Sequence, residues 1–382
     1  MYNWNLDDLK KLQKLYEKKA RMCTDVNLQL EYESVVNNIL DIIDNYNYMT
    51  QPSSSIQALP FVQKNNHFDV VNDDLGKIRL YSSYFPFIRR FRDMMDGTDV
   101  ALQDDLQVFK TSQDGIVTLT TDFYHQYKGI FSSTYDSLAD NFRNRLLFRK
   151  PSQDEKYGGN TYSVYRTTEV FIDCIKSNNV QDYISLIHES SHGITCKLNQ
   201  DIMWDWNKYC LIEVDSLFFE MIGTDYASKL VGVQKDGVKT KIATFKDHLY
   251  SADIICSKID AYKQLSKKDL RNRRTISKFY KQEIGYDKDL TFDAMYSRIQ
   301  EYMHYVISYL VAIELYMIYI KDQEKALDLL HKIIMLKNFD NKGYLLNIKS
   351  LGINPGENVK NYYELLLKEE GDLGYGKKLQ HR

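Results

Sequence analysis

Apolar residues recur at helical spacing from the start of the chain. Leu9, Leu12, Leu15 and Tyr16, then Leu28, Leu30, Val35, Val36, Ile39, Leu40 and Ile43, predict two helices within residues 6–47. Residues 50–60 (TQPSSSIQALP) have the composition of a loop. Helical patterns resume between Asp74 and Phe148, with polar breaks at Asp96-Gly97-Thr98 and Gln113-Asp114-Gly115. A stronger break runs from Lys150 to Asn160, and its Gly158-Gly159 pair reads as a connector. It separates an N-terminal helical region (1–150) from a second region (151–382), the two expected to pack as one unit. Tyr162 to Ile175 is the richest run of β-branched and aromatic residues and predicts a strand. Helical periodicity then dominates from residue 180 to Pro355. With only 5 prolines and 17 glycines to interrupt it, the pattern reads as mostly α with one small sheet.

Charge narrows the function classes. Lys+Arg 50 against Asp+Glu 52 gives a formal net charge of -2, without the basic excess of a nucleic-acid binder. The longest apolar stretch, residues 305–320, is broken by Ser308 and Glu314 and ends at Lys321-Asp322, so no membrane span is expected. Five cysteines (Cys23, Cys174, Cys196, Cys210, Cys256) are scattered and never form C-x-x-C, which predicts reduced thiols and a cytoplasmic location. The first residues show no basic segment followed by an apolar one, so no signal peptide is expected. Thirty tyrosines predict half-wet surfaces such as a cleft, where an apolar ring can pack while its hydroxyl finds a partner.

One motif carries chemistry. His188-Glu189-Ser190-Ser191-His192 continues the helical pattern of Val180–Ile187, and residues four apart share a helix face. His188 and His192 can therefore present ring nitrogens to one ion. Glu189 sits beside them, able to take a proton from water but badly placed as a ligand. A catalytic zinc takes three protein ligands and keeps a position open, so a third ligand must come from elsewhere. Glu213, Ser216 and Glu220 fall at i, i+3 and i+7 on an otherwise apolar helical segment, where carboxylates are costly unless engaged. Glu213 is the expected third ligand, and Glu220 the residue expected to orient a ligand histidine from behind. Asp215 lies on another face. By chance, H-E-x-x-H arises in roughly one in a hundred chains of this composition, and the added carboxylate stripe makes the combination much rarer.

H-E-x-x-H followed by E-x-x-S-x-x-x-E resembles the M3 peptidases, the thimet oligopeptidase and oligoendopeptidase F group of zinc gluzincins. The opening Tyr2-Asn-Trp4-Asn-Leu6-Asp-Asp-Leu9 is similar to the W-D-L start of the oligoendopeptidase F branch. The segment Tyr302–Tyr316 looks like the family's Y-x-x-Y helix, and residues 349–364 look like its closing helical segment. The resemblance implies a zincin-type catalytic domain, with a small β-sheet beside the H-E-x-x-H helix and helices walling a substrate cleft. It also implies Zn(2+) as cofactor, Glu189 as general base, Tyr302 and Tyr305 as donors to the oxyanion, and a short peptide as substrate. The strand at Val170–Ile175 would lie beside the metal helix and offer an edge to that peptide. Three features depart from the family. Ser191 stands where glycine is usual, no histidine precedes the Tyr302 helix between Met295 and Glu301, and the chain is short. The expected function is a zinc endopeptidase cutting internal bonds of short unfolded peptides. The alternatives are an idle relative that binds peptides or a partner, and a zinc hydrolase of another substrate class.

Overall fold

The computed structural model describes residues 2–50, 110–151, 157–200, 213–230, 240–244, 307–336 and 341–372, with a few isolated residues. It is mostly helical, with one three-stranded sheet, as the sequence predicts. The chain forms two compact units. The first comprises Met1–Leu59, Leu106–Trp204 and Phe219–Gly237, and the second Pro60–Asp105, Asp205–Phe218 and Val238–Arg382.

In the first unit, α1 (Leu6–Met22) and α2 (Val26–Thr50) pair as the periodicity predicts. Asn5 caps α1 by accepting from Asp7 N, acidic residues fill its first turn, and Lys19 and Arg21 its last, so both ends suit the helix dipole. Val35, Ile39 and Ile42 of α2 pack with Leu9, Tyr16 and Trp4. Trp4 ties this layer to the sheet. Its Nε1 donates to Ile172 O (2.8 Å), and its ring packs against Tyr162, Phe171 and Tyr46.

Next come α3 (Gln113–Tyr124), α4 (Ile130–Ala139) and α5 (Phe142–Arg145). The Gln113-Asp114-Gly115 break is in fact the first turn of α3, because Ser112 Oγ caps the helix through Gly115 N (3.0 Å). Strands β1 (Leu146–Arg149), β2 (Gly159–Ser163) and β3 (Val170–Ile175) follow, in spatial order β1-β3-β2. β1 runs parallel and β2 antiparallel to β3. The sequence reading corrects in two places. Phe148 closes no helix, since the run around it is the strand β1. Tyr162–Ile175 is a hairpin rather than one strand, turned at Arg166, whose φ is 58°, with Val164 N bonded to Glu169 O (2.9 Å). β3 is therefore central with both of its edges paired, and among the described residues β1 and β2 are the edge strands.

Helix α6 (Gln181–Leu198) lies on the sheet. Its entry is fixed by the buried Asp182 carboxylate, which accepts from Ser177 N (2.6 Å), Asn178 N (2.8 Å) and Ser177 Oγ (2.7 Å). Helix α7 (Val214–Ser228) is continuous, residues 214–218 counting with the second unit and 219–228 with the first. Behind α6, Phe123, Tyr127, Phe131 and Phe219 meet largely edge-on, and Tyr124 stacks on Tyr135 at 4.4 Å. Tyr124, Tyr135, Tyr183, Tyr316 and Tyr362 are fully buried, so these five build core rather than cleft. Gly223 of α7 lets the helices close. A Cβ there would meet Ile187 Cδ1 of α6 at 2.5 Å. Gly223→Ala is expected to cost about 1–3 kcal/mol through overpacking, read as a lowered urea midpoint with unchanged slope.

The second unit holds helical residues 307–319, α8 (Gln323–Ile334), α9 (Asn341–Ser350) and α10 (Val359–Asp372). Glu314 is buried and accepts from Asn358 N and Nδ2, both at 2.6 Å, just ahead of α10. Buried Lys241 reaches Glu369 (2.9 Å) and Tyr316 OH (3.3 Å). Among the described residues no helix is long and apolar enough to cross a membrane.

Candidate metal centre

From Gln181 to Thr195, every residue of α6 is buried except His188. A helix so enclosed by sheet, α3 and α4 leaves one opening, at the first motif histidine. His192 lies a turn further along, with ring centroids 5.0 Å apart and planes at 84°. Ligand atoms of His188, His192 and Glu213 all lie within 4.8 Å of one another. Two imidazoles and a carboxylate at that separation fit the donor set and reach of a zinc or similar transition-metal site.

Glu213 reaches this place through the start of α7. Leu217 N donates to its carbonyl (3.0 Å), so it opens the helix, and Ser216 Oγ donates to its Oε2 (2.9 Å). Two turns on, Glu220 Oε2 lies 3.2 Å from His188 Nδ1. A carboxylate partner makes Nδ1 the protonated nitrogen and leaves Nε2 as the ligand atom. Of the stripe predicted at 213, 216 and 220, Glu213 shares the cluster with the two histidines, Ser216 bonds Glu213 and Glu220 meets His188. Glu220→Gln is expected to weaken zinc binding about 10-fold to 100-fold, measured by competition with a chromophoric chelator.

Glu189 is only 5% exposed. Burial pushes its carboxyl above the ordinary range, opposed by the neighbouring imidazoles of His188 and His192 and by a hydrogen bond from Thr161. Thr161 Oγ1 lies 2.8 Å from both the Oε2 and the main-chain O of Glu189. Gly159 lies beneath the same side chain, where a Cβ would come within 2.8 Å of Glu189 Cγ and collide with the Asp173 carbonyl. Sequence reasoning missed both residues. Gly159 is not a connector but the first residue of β2, and the empty space over its Cα is filled by the glutamate.

Ser191, where the resembled family has glycine, points away from the opening. Its Oγ and Tyr124 OH lie 2.9 Å apart and both reach Ile187 O. The substitution is accommodated by the tyrosine-rich core behind α6 rather than by the site. Asp215 is buried but does not join the cluster. Tyr302, Tyr305 and His304 lie outside the described residues.

Neither a protein-family model nor any curated protein sequence matches the chain. Solved structures do share its fold. One is described as a provisional oligoendopeptidase F, with a TM-score of 0.51 and 13% identity over 98% of this chain and 66% of that one. A second, a provisional oligoendopeptidase F from Bacillus anthracis str. Ames, gives 0.51 and 13% over 97% of this chain and 70% of that one. PZ peptidase A, solved with an inhibitor, gives 0.51 and 11% over 83% and 60%. The chain thus spans between 60% and 70% of the length of these three proteins. At such identities the likeness is one of architecture, and it establishes that this chain has the fold of oligoendopeptidase-type peptidases.

Proposed function

We propose that the chain is a zinc-dependent endopeptidase that hydrolyses internal bonds of short unfolded peptides in the cytoplasm. The observation that carries this reading is the meeting of His188, His192 and Glu213 where His188 is the one partly exposed residue between Gln181 and Thr195, with Glu189 between the histidines in sequence and Glu220 behind His188. His188, His192 and Glu213 would hold the ion. When bound, zinc supplies Lewis acidity toward the peptide carbonyl and acidifies a water toward neutrality.

The protein's own residues do the rest. Glu189, its carboxylate made more basic by burial, takes the proton of the attacking water and returns it to the leaving nitrogen. Glu220 keeps His188 in one tautomer and one orientation. Tyr302 and Tyr305 are assigned as donors to the developing oxyanion, a role that rests on the sequence resemblance. An extended peptide would add to the outer edge of β2, whose side-chain face also holds Glu189. The cytoplasmic location is supported by the scattered cysteines, which never form C-x-x-C.

The test is metal content together with cleavage of a quenched fluorescent peptide library, with and without chelator. Stoichiometric zinc and chelator-sensitive internal cleavage are expected. Zinc without turnover would favour the idle peptide-binding relative, and a protein that takes up no zinc would end both readings.

A further inference from the structure

We infer that Thr161 of β2 is a positioning residue for Glu189, fixing which carboxylate oxygen receives the proton. The inference rests on the proposed role of Glu189 as general base. A glutamate side chain has three rotatable bonds, and a base that wanders by an ångström loses much of its advantage. Two contacts from β2 confine this one. Gly159 packs against its Cγ, so close that no side chain fits between strand and helix. Thr161 Oγ1 then sits 2.8 Å from Oε2 and 2.8 Å from the Glu189 carbonyl.

A hydroxyl carries a single proton, which here is shared between two oxygens of the same residue. The bond pins the side chain back onto its own backbone and occupies Oε2. Among the described residues no other donor reaches the carboxylate, so Oε1 is left as the oxygen that faces the reacting water. The methyl group of threonine restricts χ1 and keeps the hydroxyl in this orientation, which a more freely rotating serine does less well.

The strand adds a second reason to place the hold here. Ile175 N donates to Gly158 O (2.9 Å), and the antiparallel register pairs Asn160 with Asp173 and Tyr162 with Phe171. By the alternation of such a ladder, Gly159, Thr161 and Ser163 turn their N–H and C=O groups to the outer edge. The two residues that confine Glu189 are then among those whose backbone would meet a peptide. A side-chain change at Thr161 leaves that backbone in place, so it should act on turnover rather than on substrate binding.

The test is Thr161→Val, which keeps shape and strand preference but removes the donor, against Thr161→Ser, which keeps the donor. Thr161→Ala serves if the valine variant fails to fold. In the zinc-loaded enzyme, Thr161→Val is expected to lower kcat by about 10-fold to 100-fold with KM nearly unchanged, and Thr161→Ser to recover most of the loss. A second reading comes from the metal-free protein. With 13C-labelled glutamate, the Glu189 carboxylate infrared band, assigned by subtracting the Glu189→Gln spectrum, should move in Thr161→Val and stay in Thr161→Ser. A valine variant with an unmoved band and kcat within about twofold of the parent overturns the inference. Full turnover in Glu189→Gln would instead overturn the parent reading and the role of Thr161 with it, and the two failures are told apart because the first leaves Glu189→Gln inactive.

Discussion

Glu189→Gln is expected to lower kcat by about 100-fold to 10,000-fold while zinc remains bound at one ion per chain. Glutamine is nearly isosteric, its amide oxygen can still accept from Thr161 Oγ1, and the Gly159 surface beneath it is undisturbed. What it cannot do is take a proton. Because Glu189 is not in the set of His188, His192 and Glu213, metal affinity should barely change, and elemental analysis beside steady-state kinetics separates the two effects. The same substitution removes a carboxylate that burial makes costly, so the variant should be at least as stable as the parent. Turnover that survives with zinc in place would show that another group handles the proton, and the mechanism would fall even if the enzyme class stood.

Much of this site is readable along the chain because helices make spacing into geometry. His188 and His192 share a face whatever the fold, and Glu213, Ser216 and Glu220 share another. Carboxylates on an apolar helix announce that something engages them. The contributions of β2 are not readable in that way. Thr161 meets Glu189 across 28 residues of sequence, a pairing set by the register of a strand against a helix, which no local pattern encodes. Gly158-Gly159 reads as a connector because glycine usually signals backbone freedom, whereas Gly159 is required for the absence of its side chain. Short elements fail for another reason. Leu146–Arg149 is too brief to show an alternation, and Ser112 must be recognised as a cap before Gln113-Asp114-Gly115 looks like a helix start. The fold class survived these errors because α1, α2 and α6 are long and α1 and α8 are strongly periodic.

Glu213→Gln is expected to remove most of the rise in melting temperature that zinc gives the parent protein, while leaving the metal-free protein as stable as before or more so. The two halves have one cause. Glu213 is fully buried, and the parent holds its carboxylate in that environment beside two imidazoles, with Ser216 Oγ donating to Oε2 at 2.9 Å. Burying a charge is costly, so a neutral amide of the same shape relieves the metal-free fold. With zinc at a thousandfold excess over its Kd, a single native-state site stabilises by roughly 4 kcal/mol, a rise of several degrees in a scan. A neutral amide is a poor ligand, and its loss should reduce affinity at least about 100-fold, removing most of that rise. Calorimetric scans of parent and variant, each with chelator and with zinc, therefore should cross: the variant equal or ahead without metal, the parent ahead with it. A zinc-dependent rise of equal size in both would take Glu213 out of the ligand set and return Asp215, buried on the same helix, as the carboxylate to test.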